Sequence, residues 1–324
     1  MQEVANQRVP TRDGVEHAAR KIAEILPPTP LIPLTIRNCR IWAKAECLQP
    51  VGAFKVRGAW HRLSELCELD RSRGVVAVSS GNHAQGVAWA ARKLGMAATI
   101  VMPADAPRIK LARTRELGAE VITYDRMTQN REAIALQLAR ERGATYLHAF
   151  ADPWVIEGQG SAGVEIAAQL MAQGKDGPSR IIAPCGGGGL SAGLALACPE
   201  AEIIPVEPEG WDDVCRSLET GQIQQVGASV PQTQCDALQT FSTQPINFAI
   251  LQQRCTAGLR VSEEQVRDAQ RFAFSNLRVV LEPGGAAALA AVLAGKTQLG
   301  GTTVVILTGG NVDPHQFAHT LMQA

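Results

Sequence analysis

Between residues 74 and 147 the chain alternates short β-rich runs with helical patterns, and no other feature constrains the fold as tightly. Residues 74–79, 97–102, 119–124 and 144–147 read as strands. The first is a continuous apolar run of the kind buried on both faces of a sheet. Residues 84–94, 107–117 and 128–142 read as helices, the first two stopping at Gly95 and Gly118. A glycine ends a helix readily because it enters the left-handed region without a Cβ penalty. Strands joined by helices in this way give βαβ units and a parallel sheet. The 324 residues exceed the usual size of one domain. Two are expected: a small domain over 72–148, and a large one formed by 1–71 and 149–324.

The flanking segments continue the α/β pattern. Residues 13–26 carry Val15, Ala18, Ala19, Ile22, Ile25 and Leu26 at helical spacing, stopped by Pro27 and Pro28. Residues 29–31 are extended, and 39–46 read as a strand. A loop with Pro50 and Gly52 leads to a helix over 54–69. Beyond 148 the pattern predicts a helix at 154–173, strands at 180–183 and 202–206, and helices at 262–276 and 284–294. A last strand, 303–307, ends at Thr308-Gly309-Gly310-Asn311. Residues 209–258 carry no readable pattern. The fold class expected is a two-domain α/β protein with parallel sheets flanked by helices.

Composition excludes several classes of function. Net charge is zero, which argues against nucleic acid and anionic membrane surfaces as partners. The basic stretch Arg108 to Arg115 is spaced like a solvated helix face. Eight cysteines show no Cys-x-x-Cys spacing, and Cys185 and Cys198 sit in apolar or glycine-rich surroundings. Buried free thiols in a reducing compartment are expected. The six histidines show no zinc-ligand spacing. The N-terminus has no apolar core of the signal-peptide kind, and no apolar run reaches transmembrane length. These features predict a soluble, cytoplasmic protein.

Three loops carry the chemistry. In Pro184-Cys185-Gly186-Gly187-Gly188-Gly189-Leu190-Ser191, four glycines expose backbone N–H groups between a strand and a helix. The helix N-terminus adds roughly half a positive charge, so a phosphate dianion fits there. The same loop, as Gly187-x-Gly189-x-x-Ala192 with Glu207 downstream, also satisfies a loose dinucleotide fingerprint. That alternative, an NAD-binding Rossmann protein, explains Glu207 but neither of the other two loops. The second, Ser79-Ser80-Gly81-Asn82-His83, places two hydroxyls, an amide and backbone donors at a helix N-terminus. It suits a carboxylate, or reads as an ordinary N-cap. His83 reads as a packed or hydrogen-bonding group rather than a base. The third, Gly52-Ala53-Phe54-Lys55-Val56-Arg57-Gly58-Ala59, puts Lys55 at the mouth of a strand-to-helix unit. There it could hold a carbonyl cofactor as a Schiff base. Together the loops describe a pocket for pyridoxal phosphate.

The GAFKVRGA, SSGNHAQGVAWAA, PCGGGGLSAG, EPGGAA and TGGN stretches, in this order, resemble the fold-type II pyridoxal-phosphate enzymes of the serine/threonine dehydratase and serine racemase family. The resemblance covers nearly the whole chain. It implies that Lys55 binds the cofactor covalently and Phe54 lies against the ring. Asn82 would bond the ring 3-hydroxyl, Gly186, Gly187, Gly188, Gly189 and Leu190 would hold the phosphate, and Thr308 would face the pyridine nitrogen. Ser79, Ser80, Gly81 and His83 would bind the substrate. The chain departs from the family in four places. Ala53 replaces a serine, Thr308 stands where serine is common, Gly285 stands where another small residue is often found, and Ala237 stands where a glycine follows aspartate. The resemblance further implies no regulatory domain after Asn311, and a homodimer.

The reaction implied is conversion of a β-hydroxy amino acid such as L-serine or L-threonine to a 2-oxo acid and ammonia, with Lys55 as the base. Serine racemization and hydroxyaspartate dehydration are the alternatives. Ser80 is the candidate acid/base on the face opposite Lys55, as in racemase-like members, or else a cap. Racemase-like relatives also imply Mg²⁺ or Ca²⁺ held by Glu207, the carbonyl of Trp211, and Asp213.

Overall fold

The computed structural model describes residues 8–79, 81–106, 108–125, 127–227 and 229–323. Ten strands form two sheets. They are β1 (Leu31–Ile36), β2 (Cys39–Lys44), β3 (Val75–Val78), β4 (Ala98–Pro103), β5 (Glu120–Tyr124), β6 (Thr145–Leu147), β7 (Arg180–Pro184), β8 (Glu202–Pro208), β9 (Leu259–Val261) and β10 (Thr303–Ile306). One sheet has the order β1-β2-β10-β7-β8-β9 and the other β5-β4-β3-β6. Every pair is parallel except β1 with β2. The parallel α/β architecture read from the alternation is the one observed.

Burial follows position in the sheets. All of β4 and β10 is buried, as strands covered by helices on both faces must be. β5, at an edge, exposes Glu120, whose carboxylate pairs with Arg142. The sequence reading missed β1. Its Pro33 argues against a central strand, but β1 lies at the sheet edge, where a missing N–H is tolerated. The helix expected over 54–69 stops earlier, as Lys55–Ser64, and a second short helix covers Glu68–Arg73. The Ser64 carbonyl accepts from Lys21 Nζ and Arg71 Nη2 instead of from another turn.

Small residues draw three helices together around the lysine. A Cβ on Gly58 would lie 2.9 Å from the Val155 carbonyl, so the helices Lys55–Ser64 and Pro153–Met171 meet backbone to backbone. A Cβ on Gly86, in the helix Asn82–Lys93, would come within 3.1 Å of the Lys55 carbonyl carbon. Beneath them lies a buried ionic network. Arg57 binds Glu46 through Nε at 2.7 Å and Nη2 at 2.8 Å, and reaches Glu165 at 2.8 Å. Lys44 donates to Glu165 and to the Thr29 carbonyl. Burial opposes ionization of Glu46, but Arg57 and then Lys44 override it and bring its carboxyl down to about 2. Losing one member would strand a buried charge, at a cost of about 3–5 kcal/mol.

Candidate active site

The ends of several parallel strands and the helix starts that follow them enclose a cavity of about 290 Å³. Lys55, Phe54, Ser79, Gly81, Asn82, His83, Gly186 to Gly189, Leu190 and Thr308 all line it. The structure thus brings together the cofactor and substrate residues read from the three loops. Ser80 lies outside the described residues.

Lys55 opens its helix, and its Nζ donates to the Ala149 carbonyl at 2.9 Å and stands 5.1 Å from the centre of the Phe54 ring. Among the described residues no carboxylate pairs with it. Burial alone pulls its amine down to about 8. A neutral, nucleophilic fraction is therefore present near neutral pH. The same burial, and then the Lys55 charge, hold His83 well below the ordinary histidine range. His83 lines the cavity, and its burial there favours the neutral imidazole.

Phe54 is anchored to the opposite wall: its N–H donates to the Thr308 carbonyl at 3.1 Å, and Ala53 bridges to Gly309. The strand end carrying Thr308 is thereby fixed next to the lysine, although the two are far apart in sequence. Asn82 donates to the Glu282 carboxylate and accepts from Asn311 Nδ2 at 2.8 Å. Burial, and then Asp236, push the Glu282 carboxyl up to about 7. Ser79 Oγ accepts from Gly81 N–H at 3.1 Å.

The glycine loop closes the far wall. Gly188 has φ of 88° and caps the helix Gly189–Ala197. A Cβ on Gly187 would stand 2.3 Å from the Phe150 ring, so no larger residue fits there. Ser191 Oγ is buried, lines the cavity and makes no hydrogen bond among the described residues. A buried hydroxyl without a partner is costly, and a phosphate oxygen would satisfy it. The cradle of N–H groups, the helix N-terminus and this hydroxyl fit a phosphate monoester. Sequence reasoning passed over Ser191 as a site residue, although a hydroxyl in the first turn after such a loop was a readable signal. It also missed Glu282, Lys110, Arg131 and His148 in the cavity wall.

Glu207, Trp211 and Asp213 do not line this cavity. Glu207 is fully buried and accepts from the N–H groups of Val214 at 3.1 Å and Cys215 at 2.7 Å. Its carboxylate meets a helix start away from the cavity, so Glu207 does not face the glycine loop as the dinucleotide reading requires. Burial, and then the neighbouring Asp213, push Glu207 up to about 8; burial pushes Asp213 up to about 7. Asp213 Oδ2 accepts from Thr243 N–H, while its Oδ1 is buried without a hydrogen-bond partner among the described residues. Among the described residues no cluster of three or more His, Cys, Asp or Glu side chains surrounds a common point. Two buried carboxylates with an unsatisfied oxygen are nevertheless a donor set that a hard cation suits.

The family model described as pyridoxal-phosphate dependent enzyme matches residues 22–309, and the chain belongs to that family. It is 39% identical to L-threo-3-hydroxyaspartate ammonia-lyase of Saccharomyces cerevisiae, covering 96% of each chain. It is 37% identical to serine racemase of Schizosaccharomyces pombe, over 98% of this chain and 99% of the relative. The crystal structure of a T.th. threonine deaminase superposes with a TM-score of 0.87 at 43% identity, covering 94% of this chain and 99% of that one. The fold is that of the threonine deaminases and serine racemases, and the protein is a pyridoxal-phosphate-dependent enzyme. No helix among the described residues is long and apolar enough to cross a membrane.

Proposed function

We propose that the protein is an ammonia-lyase that removes the α-proton and β-hydroxyl of L-serine or L-threonine, giving a 2-oxo acid and ammonia. The observation that carries this is Lys55: a half-buried amine without a carboxylate partner among the described residues, its pKa pulled down to about 8, sharing one cavity with a phosphate cradle and Asn82. When bound, pyridoxal phosphate supplies an electron sink for the charge left at the substrate α-carbon. Gly186 to Gly189 and Ser191 hold its phosphate, Asn82 its 3-hydroxyl, and Thr308 its ring nitrogen. Ser79 and Gly81 orient the substrate carboxylate. Lys55 accepts the α-proton, and the low-dielectric cavity keeps its amine competent for that task.

A second reading has an observation of its own. Arg131 lines the cavity and makes no ion pair among the described residues, whereas Lys110 is paired with Asp236. A cation at the wall would receive a substrate's second carboxylate, which favours 3-hydroxyaspartate. The S. cerevisiae relative acts on that compound by its name. Serine racemization requires an acid on the other face, and Ser80 is proposed for it from sequence alone. Glu207, Asp213 and the Trp211 carbonyl are proposed to hold Mg²⁺ or Ca²⁺. A homodimer is proposed from the family resemblance.

The test is a product assay: purified protein with L-serine, L-threonine or L-threo-3-hydroxyaspartate, scored for 2-oxo acid and ammonia in equal amounts. Equimolar products from at least one substrate support the lyase. Racemized serine without ammonia would overturn it.

A further inference from the structure

The acidic pair and the phosphate cradle are joined by one residue. Thr243 is buried, with 1% of its surface exposed. Its backbone N–H donates to Asp213 Oδ2 at 2.7 Å, and its hydroxyl donates to the Gly187 carbonyl at 3.0 Å. In a trans peptide the C=O and the following N–H point in opposite directions, and no cis peptide occurs among the described residues. The Thr243 hydroxyl therefore sets the direction of the Gly188 N–H, in the loop that lines the cavity. Neither Gly187 nor Gly188 has a side chain with which to hold that peptide plane itself. Thr243 sits just behind the cavity wall: Thr240, Phe241, Ser242 and Gln244 around it line the site, and Thr243 itself does not.

Resting on the reading of Glu207 and Asp213 as a cation site, we propose that Thr243 couples that site to the phosphate cradle, so that a divalent cation and a phosphate monoester strengthen each other's binding. A cation that takes Asp213 Oδ1, the oxygen without a partner among the described residues, fixes the plane of the carboxylate and hence the place of Oδ2. Oδ2 then holds the Thr243 backbone, and the Thr243 hydroxyl holds the Gly187–Gly188 peptide. The coupling is reciprocal, because a linked free energy is shared by both ligands. Thr243 is a positioning residue in this scheme; it acts on the cofactor only through Gly187.

The test uses holoenzyme of the wild type, Thr243→Val and Thr243→Ser. Valine keeps the backbone N–H to Asp213 and loses only the hydroxyl; serine keeps both. Two quantities are read with and without Mg²⁺: the melting temperature, and the rate at which pyridoxal phosphate is lost to an excess of apo-protein trap. The account expects Mg²⁺ to raise the melting temperature of all three. It expects Mg²⁺ to slow cofactor loss about fivefold or more in wild type and Thr243→Ser, and not in Thr243→Val. Equal slowing in Thr243→Val, or none in wild type despite a raised melting temperature, would overturn the coupling while leaving the cation site standing. No effect of Mg²⁺ on the melting temperature would remove the cation site and the coupling with it. If Thr243→Val does not yield holoenzyme, the wild-type pair of measurements still decides whether the two ligands are linked.

Discussion

The Glu282 carboxylate accepts a hydrogen bond from the Asn82 amide, although 200 residues separate them. Asn311 donates to the other end of that amide, so the group proposed to meet the cofactor's 3-hydroxyl is held at both ends. Glu282 is 3% exposed, and its carboxyl is pushed up to about 7 by burial first and Asp236 second. A carboxyl raised in the folded state stabilizes below its unfolded value of 4.5, and that contribution is lost as pH rises through about 7. The whole difference is on the order of 3 kcal/mol.

Glu282→Gln keeps an acceptor for Asn82 and removes the titration. The wild type should lose stability between about pH 5 and pH 8, and Glu282→Gln should lose less over the same window. Urea unfolding of the holoenzyme at closely spaced pH values checks this. Parallel pH profiles for the two proteins would mean that Glu282 is not the buried acid described here.

Arg131, like Lys55, is a cavity-wall cation without an ion-pair partner among the described residues. If it receives a second carboxylate, Arg131→Gln should raise KM for L-threo-3-hydroxyaspartate at least tenfold, the loss of a charged hydrogen bond being worth about 1.5–3 kcal/mol. KM for L-serine should change little. Steady-state kinetics on both substrates checks the split, and equal losses on both would place Arg131 in general scaffolding.

Ser80, proposed as the acid facing Lys55, is tested by Ser80→Ala. L-serine dehydration should persist, while racemization and turnover of D-serine should be lost. Chiral chromatography of serine alongside a pyruvate assay reads both. Equal loss of every activity would assign Ser80 to carboxylate binding or capping.

The parts of the site that were legible in the sequence are those confined to one short stretch. Lys55, the glycine loop and the Ser79 to His83 loop each carry their chemistry within a few residues at a strand-to-helix junction. Glu282 and Thr243 act through partners 200 and 30 residues away, and no local pattern records such contacts. Residues 209–258 carry no readable pattern in the sequence, and part of the reason is long-range bonding of the kind Thr233 makes with Glu263. The sequence reading assigns no helix after Asn311, yet Pro314–Met322 is one, with Asp313 capping it and Pro314 in its first turn. That pairing is an ordinary helix start and was available from sequence. The early stop of the helix at Ser64 was not, since it depends on Lys21 and Arg71 reaching its carbonyl.

The central claim is that Lys55 binds pyridoxal phosphate in this cavity, and the absorption spectrum of the purified protein tests it most directly. Wild type should show a visible band that borohydride reduction abolishes, with the label retained on the peptide containing Lys55. Lys55→Ala should bind the cofactor without that covalent label and release no 2-oxo acid from L-serine. A colourless wild type that stays so with added pyridoxal phosphate, or a label on another lysine, would contradict the account.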